Sequence, residues 1–138
     1  MGSWELLDHT ADVRLSVRGD DLVDFFITAA CALTELLVGP NLPGATERLT
    51  IRAEGGGPEE VLVDWLRELL YRFQGEGRIA VEHDIIEMTN TGLTAECGFS
   101  PFDPERMSVA TDIKAITYHD LEVVKNDRGV HARIVCDV

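Results

Sequence analysis

Two segments of the sequence repeat their apolar residues at helical spacing, and nearly everything outside them alternates. The first opens at Asp21, a residue able to cap a free backbone N–H, with Asp24 three positions on in the capping-box place. Leu22, Phe25, Phe26, Ala29, Ala30, Leu33, Leu36 and Leu37 then form one stripe, and Gly39-Pro40 ends it. The second follows Gly55-Gly56-Gly57, with Pro58 suited to the first helical position. Val61, Leu62, Trp65, Leu66, Leu69, Leu70 and Phe73 make its apolar face, and Gly75 or Gly77 stops it.

The remainder reads as strands. Val13, Leu15 and Val17 alternate with Arg14, Ser16 and Arg18, and Leu49 and Ile51 alternate with Arg48, Thr50 and Arg52. Ile79–Met88 and Leu93–Phe99 flank the Asn90-Thr91-Gly92 turn as a hairpin, and Ile113–Val124 and Val130–Val135 flank Asn126-Asp127-Arg128-Gly129 as another. The order strand, helix, strand, helix, then a run of strands predicts an α+β fold. Its sheet is mixed or mostly antiparallel, with the two amphipathic helices packed on one face. At 138 residues the chain fits one domain, 1–138, and is long enough to bury about 70% of its unfolded surface.

Charge narrows the function. Lys and Arg number 12 against 25 Asp and Glu, a formal charge of −13. Nucleic-acid binding draws its affinity from cations that neutralise phosphates, so direct RNA or DNA binding is not expected. Cations or a basic protein surface are the favoured partners. The sequence shows no basic segment followed by an apolar core of a signal peptide, and no apolar run of the ~20 residues that span a bilayer. Cys31, Cys97 and Cys136 are odd in number and form no CxxC pair. Each sits among apolar residues, which predicts three buried thiols and a reducing, cytoplasmic location, and the lack of a bilayer-length apolar run predicts no membrane partner.

The triple glycine before a helix invites a phosphate-loop reading, because helix N-termini attract anions. The GxxxxGK[ST] frame is absent, and Glu54, Glu59 and Glu60 would repel phosphate, so the loop reads as a plain strand-to-helix turn.

Three places carry polar groups in unusual company. Asp8-His9-Thr10-Ala11-Asp12 precedes a strand, and it reads either as a capped turn or as the source of one carboxylate, Asp12, for a cation. The last strand runs straight into Cys136-Asp137-Val138, which is either a frayed end or a pair of fixed anionic groups. Joined by Asp12, those groups would make an oxygen-only site of the kind that Ca²⁺, Mg²⁺ or Mn²⁺ prefers. His119 stands beside Asp120, yet neighbours on a strand face opposite ways, so no acid–base dyad is expected there without a bulge. His83 and His131 are isolated and read as structural.

Leu7-Asp8-His9-Thr10-Ala11-Asp12-Val13 resembles the "(E/D)HTAD" opening of the archease family, and Asp112 to Leu121 (DIKAITYHDL) resembles its "(E/D)(I/V)KA(I/V)TYH" strand. The ending Cys136-Asp137-Val138 is similar to the family's "-D(V/I)" terminus, and the resemblance extends over nearly the whole chain. It implies a non-enzymatic protein cofactor of an RtcB-type RNA ligase, which joins RNA ends in tRNA splicing and RNA repair. It would promote guanylylation of the ligase histidine and multiple turnover. It also implies a bound divalent cation, Ca²⁺ in known structures, with Asp12, Asp137 and Val138 as ligands and His9 in the adjoining motif. Asp24, Arg106, Lys114 and His119 are then the residues of activation or ligase contact. Where the family commonly reads "DPERH", Met107 follows Arg106 here. Two other readings of the same residues are a chaperone-like binding module and a metal-dependent hydrolase using Asp12, Asp137 and His119.

Overall fold

The computed structural model describes residues 2–7 and 12–138. Asp8, His9, Thr10 and Ala11, most of the first motif, lie outside the described residues. The chain order is β1 (Ser3–Leu6), β2 (Asp12–Gly19), α1 (Leu22–Val38), β3 (Glu47–Glu54), α2 (Pro58–Glu76), β4 (Arg78–Met88), β5 (Gly92–Pro101), β6 (Ala115–Thr117), β7 (Val124–Asn126) and β8 (Gly129–Asp137).

Both helices form where periodicity places them. Asp21 caps α1 by accepting the Asp24 N–H at 2.8 Å, and the C-cap Gly39 returns its N–H to Glu35 O. Pro58 opens α2, and Gly77 closes it in the left-handed conformation (φ 67°) that costs glycine nothing. Gly75 lies inside the helix.

All strand pairs are antiparallel, and they divide between two sheets where the sequence suggests one. One sheet runs β1-β2-β8-β6, with β7 also on β8; the other runs β3-β5-β4. The helices join them. α1 packs on β2 and β4, and α2 packs on β3, β4 and β6. A single core therefore takes Val13, Leu15 and Val17 from one sheet, Ile51, Ala95 and Phe99 from the other, and Phe25, Phe26, Trp65 and Leu66 from the helices.

Two local expectations, at Ile113–Val124 and at Cys31, are corrected, and one strand that no pattern announced is added. Ile113–Val124 is not one strand: a turn at Tyr118–Leu121, closed by Leu121 N–H to Tyr118 O at 3.1 Å, splits it into β6 and β7. Asp120 makes the turn with φ 52°, a conformation that aspartate tolerates better than branched residues. Both pieces return to the same strand, β6 along Val135–Asp137 and β7 along Gly129–His131. Ser3–Leu6, too short for an alternation signal, is an edge strand on β2. Cys97 and Cys136 are buried free thiols, whereas Cys31 is exposed on α1.

Candidate functional site

The register of β2 on β8 sets Asp12 directly opposite Asp137, with Val13 opposite Cys136. Directly opposed residues share a sheet face, so the two carboxylates emerge side by side. On the other edge of β8, Ala115 opposes Asp137, and the Lys114 N–H donates to Asp137 O at 2.8 Å. Asp137 is thus held by backbone on both flanks, while Val138 beyond it is exposed.

The two carboxylates are not equivalent. Asp12 Oδ1 accepts from Arg14 Nε at 3.2 Å, two residues along the same face. The Asp137 side chain has no ion pair among the described residues. Cys136 points inward, on the face opposite the two carboxylates, and burial pushes its thiol up to about 12. Among the described residues no three side chains of His, Cys, Asp or Glu converge on a metal-sized space. Among the described residues, Asp12 and Asp137 with nearby main-chain oxygens are the donors on hand, a set that suits a hard ion.

The adjoining turn carries more polar chemistry than strand geometry allows. Thr117 Oγ1 donates to Val135 O at 3.0 Å and accepts the His119 N–H at 3.2 Å. Because the strand has ended, His119 Nε2 comes within 3.2 Å of Asp120 Oδ2, the pairing that a continuous strand would forbid. Both side chains are solvent-exposed. Arg67 of α2, absent from any motif, donates from Nε and Nη2 to Ile116 O and lies 5.1 Å from the Tyr118 ring centroid. Its place on the polar side of the α2 stripe was the only sequence signal for it.

Asp24 and Arg106 lie elsewhere. Asp24 follows the far end of β2, and seven residue steps from Asp12 to Gly19 span about 23 Å. Its carboxylate accepts the Gly2 N–H at 3.2 Å and the Asp20 N–H at 2.7 Å, tying β1 and the β2–α1 junction to the helix. Arg106 sits in a turn in which the Arg106 and Met107 amides donate to Asp103 O. It borders a groove of about 660 Å³ lined by Leu42, Pro43, Pro101 and Met107. The glycine loop is closed to phosphate: Gly55 N–H donates to Thr91 O and Gly56 N–H to Glu60 Oε1.

Fold and site together define an α+β protein whose principal polar feature is a pair of cross-strand carboxylates beside the end of its last strand. The archease protein family matches residues 4–138 of this sequence. "Protein archease" of Methanopyrus kandleri is 33% identical over 98% of this chain and 99% of its own length. The Pyrococcus abyssi protein of the same name is 34% identical over 94% and 93%. The solution structure of Methanobacterium thermoautotrophicum protein 1598 superimposes with a TM-score of 0.74 at 29% identity, covering 98% of both chains. The crystal structure of a Thermotoga maritima protein described as "an archease, possible chaperone" gives a TM-score of 0.67 at 19% identity over 96% of this chain and 94% of that one, a likeness of fold. The chain belongs to the archease family.

Proposed function

We propose that this archease is a protein cofactor of an RtcB-type RNA ligase, acting in tRNA splicing and RNA repair by promoting guanylylation of the ligase histidine and multiple turnover. It is not itself an enzyme in this reading, and it works in the cytoplasm, where Cys97 and Cys136 would stay as free thiols. No helix among the described residues is long and apolar enough to cross a membrane.

The observation that carries the reading is the register of Asp12 against Asp137. Like charges directly opposed across two strands repel, and a sheet gains nothing from the pairing unless a cation joins them. Asp12, Asp137 and a Val138 oxygen would hold a divalent cation, Ca²⁺, Mg²⁺ or Mn²⁺, which would supply a fixed positive charge at the sheet end. Arg14 orients Asp12, the Lys114 amide fixes the Asp137 backbone, and the Lys114 side chain and His119 stand within a few residues of the pair. Asp24, in α1 past the far end of β2, would contribute by holding the β2–α1 junction rather than by touching the cation.

The test is guanylylation of limiting ligase with and without this protein. Stimulation by the wild type and its loss in Asp12→Ala and Asp137→Ala, both still folded, is the expected result. Full stimulation by both variants would remove the cation site from the mechanism. RNA hydrolysis without ligase would favour the hydrolase reading instead. Suppressed aggregation of unrelated proteins, with no effect on ligation, would favour a chaperone, the role named for the Thermotoga relative.

A further inference from the structure

The face that carries Asp12 and Asp137 continues as a basic strip on an acidic molecule. Arg14 opposes Val135, Ser16 opposes Arg133 and Arg18 opposes His131, so Arg14, Arg18, Arg133 and His131 all emerge on that face. Arg14 and Arg18 stand about 13 Å apart along β2, and Arg133 lies midway between them on the next strand, about 5 Å across. All three arginines are exposed. Between Arg14 and Arg18, and between His131 and Val135, neither strand places a carboxylate. Arg14 is occupied by Asp12, but Arg18 and Arg133 form no ion pair among the described residues. The opposite face of the same two strands supplies Val13, Leu15, Val17, Ala132, Ile134 and Cys136 to the core; on the arginine face Val135 is buried, while Arg18 and Arg133 stay exposed.

We propose that this face of the β2–β8 ribbon is a docking surface for a carboxylate-bearing protein surface, which on the preceding reading belongs to the ligase. The charge pattern decides between anionic partners. The strip is short and has acidic borders: Asp12 and Asp137 at one end, and Glu5 of β1 beside a shallow hollow formed with Ser3, Ser16 and Arg18. RNA is a long, uniform polyanion and would run from the arginines onto those carboxylates, on a chain of net charge −13. A folded protein can set its own carboxylates against the arginines and uncharged or basic groups against the borders. Docked so, the ribbon would carry the Asp12–Asp137 end into the contact in a fixed orientation.

The experiment measures the affinity of the full chain for the ligase at about 50 and 300 mM salt, for wild type, Arg18→Glu/Arg133→Glu and Arg18→Lys/Arg133→Lys. The glutamate pair is expected to weaken binding about tenfold or more at low salt with an unchanged unfolding midpoint. The lysine pair should stay within about threefold of wild type, and salt should weaken wild type far more than the glutamate pair. Equal affinity of wild type and the glutamate pair, with ligase stimulation intact, would overturn the docking surface and leave the proposed function standing. No binding or stimulation by wild type would overturn both. Binding of a labelled single-stranded RNA by wild type, lost in the glutamate pair, would make RNA the occupant and overturn the proposal. Should the glutamate pair fail to fold, Arg18→Gln/Arg133→Gln replaces it, with about a threefold loss expected and no loss overturning the proposal.

Discussion

Asp12 on β2 faces Asp137 on β8 across a hydrogen-bonded strand pair, and among the described residues only Asp12 has a cationic partner, Arg14 at 3.2 Å. A protein that keeps two carboxylates in register accepts mutual repulsion in the cation-free state. Asp137→Asn should therefore raise the unfolding midpoint slightly in EDTA. With Ca²⁺ at a hundredfold excess over its Kd, wild type should gain about 2.7 kcal/mol, and the variant should gain much less. Thermal unfolding in EDTA, Ca²⁺, Mg²⁺ and Mn²⁺ measures both effects. A wild-type midpoint unmoved by all three ions would dismiss the cation site.

Asp24 presents a separate question, because both of its carboxylate oxygens already serve the fold. One accepts from Gly2 N and the other from Asp20 N. Asp24→Ala orphans those amides and removes an acidic group from the first turn of α1, at a cost of about 1–2 kcal/mol. Asp24→Asn keeps one acceptor oxygen and should lose less. Urea midpoints, together with faster exchange of the β1 amides in Asp24→Ala, would show this role. Unchanged β1 protection in Asp24→Ala would free Asp24 for direct partner contact.

His83 gives the protein an acid limit unrelated to the carboxylates. It is half-buried edge-on against Trp65, ring centroids 5.9 Å apart, with its buried Nδ1 lacking a hydrogen-bond partner among the described residues. Burial pulls its pKa down from 6.5 to about 4. The folded state thus resists a proton that the unfolded chain accepts from pH 6.5 downward. Stability from this residue is complete above that pH and falls between about 6.5 and 4, by roughly 3 kcal/mol in total. Urea titrations across that window should show the slope in wild type and flatten it in His83→Phe. Equal slopes would mean that the ring gains a proton without unfolding.

Much of this was legible in the chain. Asp21, Asp24, Pro58 and the glycines after each helix are local signals read by local physics, and both helices begin and end where those residues stand. The alternation Val13-Leu15-Val17 fixes which face of β2 is buried, and hence that Asp12 and Arg14 lie on the other. What alternation cannot supply is partnership. That Asp12 meets Asp137, rather than a residue two places away, depends on register across most of the chain length. The division into two sheets depends on helix packing for the same reason. The His119–Asp120 pairing was hidden by one backbone angle, φ 52° at Asp120, which turned an expected strand into a turn. Arg67 reaches β6 through a carbonyl, and no side-chain pattern announces a carbonyl acceptor.

The join between the helices rests on Trp65. Its side chain is fully buried, and its indole N–H crosses from α2 to donate to Phe26 O of α1 at 3.0 Å. Trp65→Phe removes that donor, leaves a void beside His83 and should cost about 3 kcal/mol. Thr34→Val makes the useful comparison. It deletes the bond from Thr34 Oγ1 to Ala80 O, 2.9 Å and also buried, while conserving shape. Its cost should be about 1–2 kcal/mol, the penalty of one orphaned carbonyl without a cavity. Chemical unfolding at pH 7 ranks the two. If Thr34→Val proves the more damaging, the bond from α1 to β4, rather than the packing of Trp65 between the helices, is what joins the two sheets.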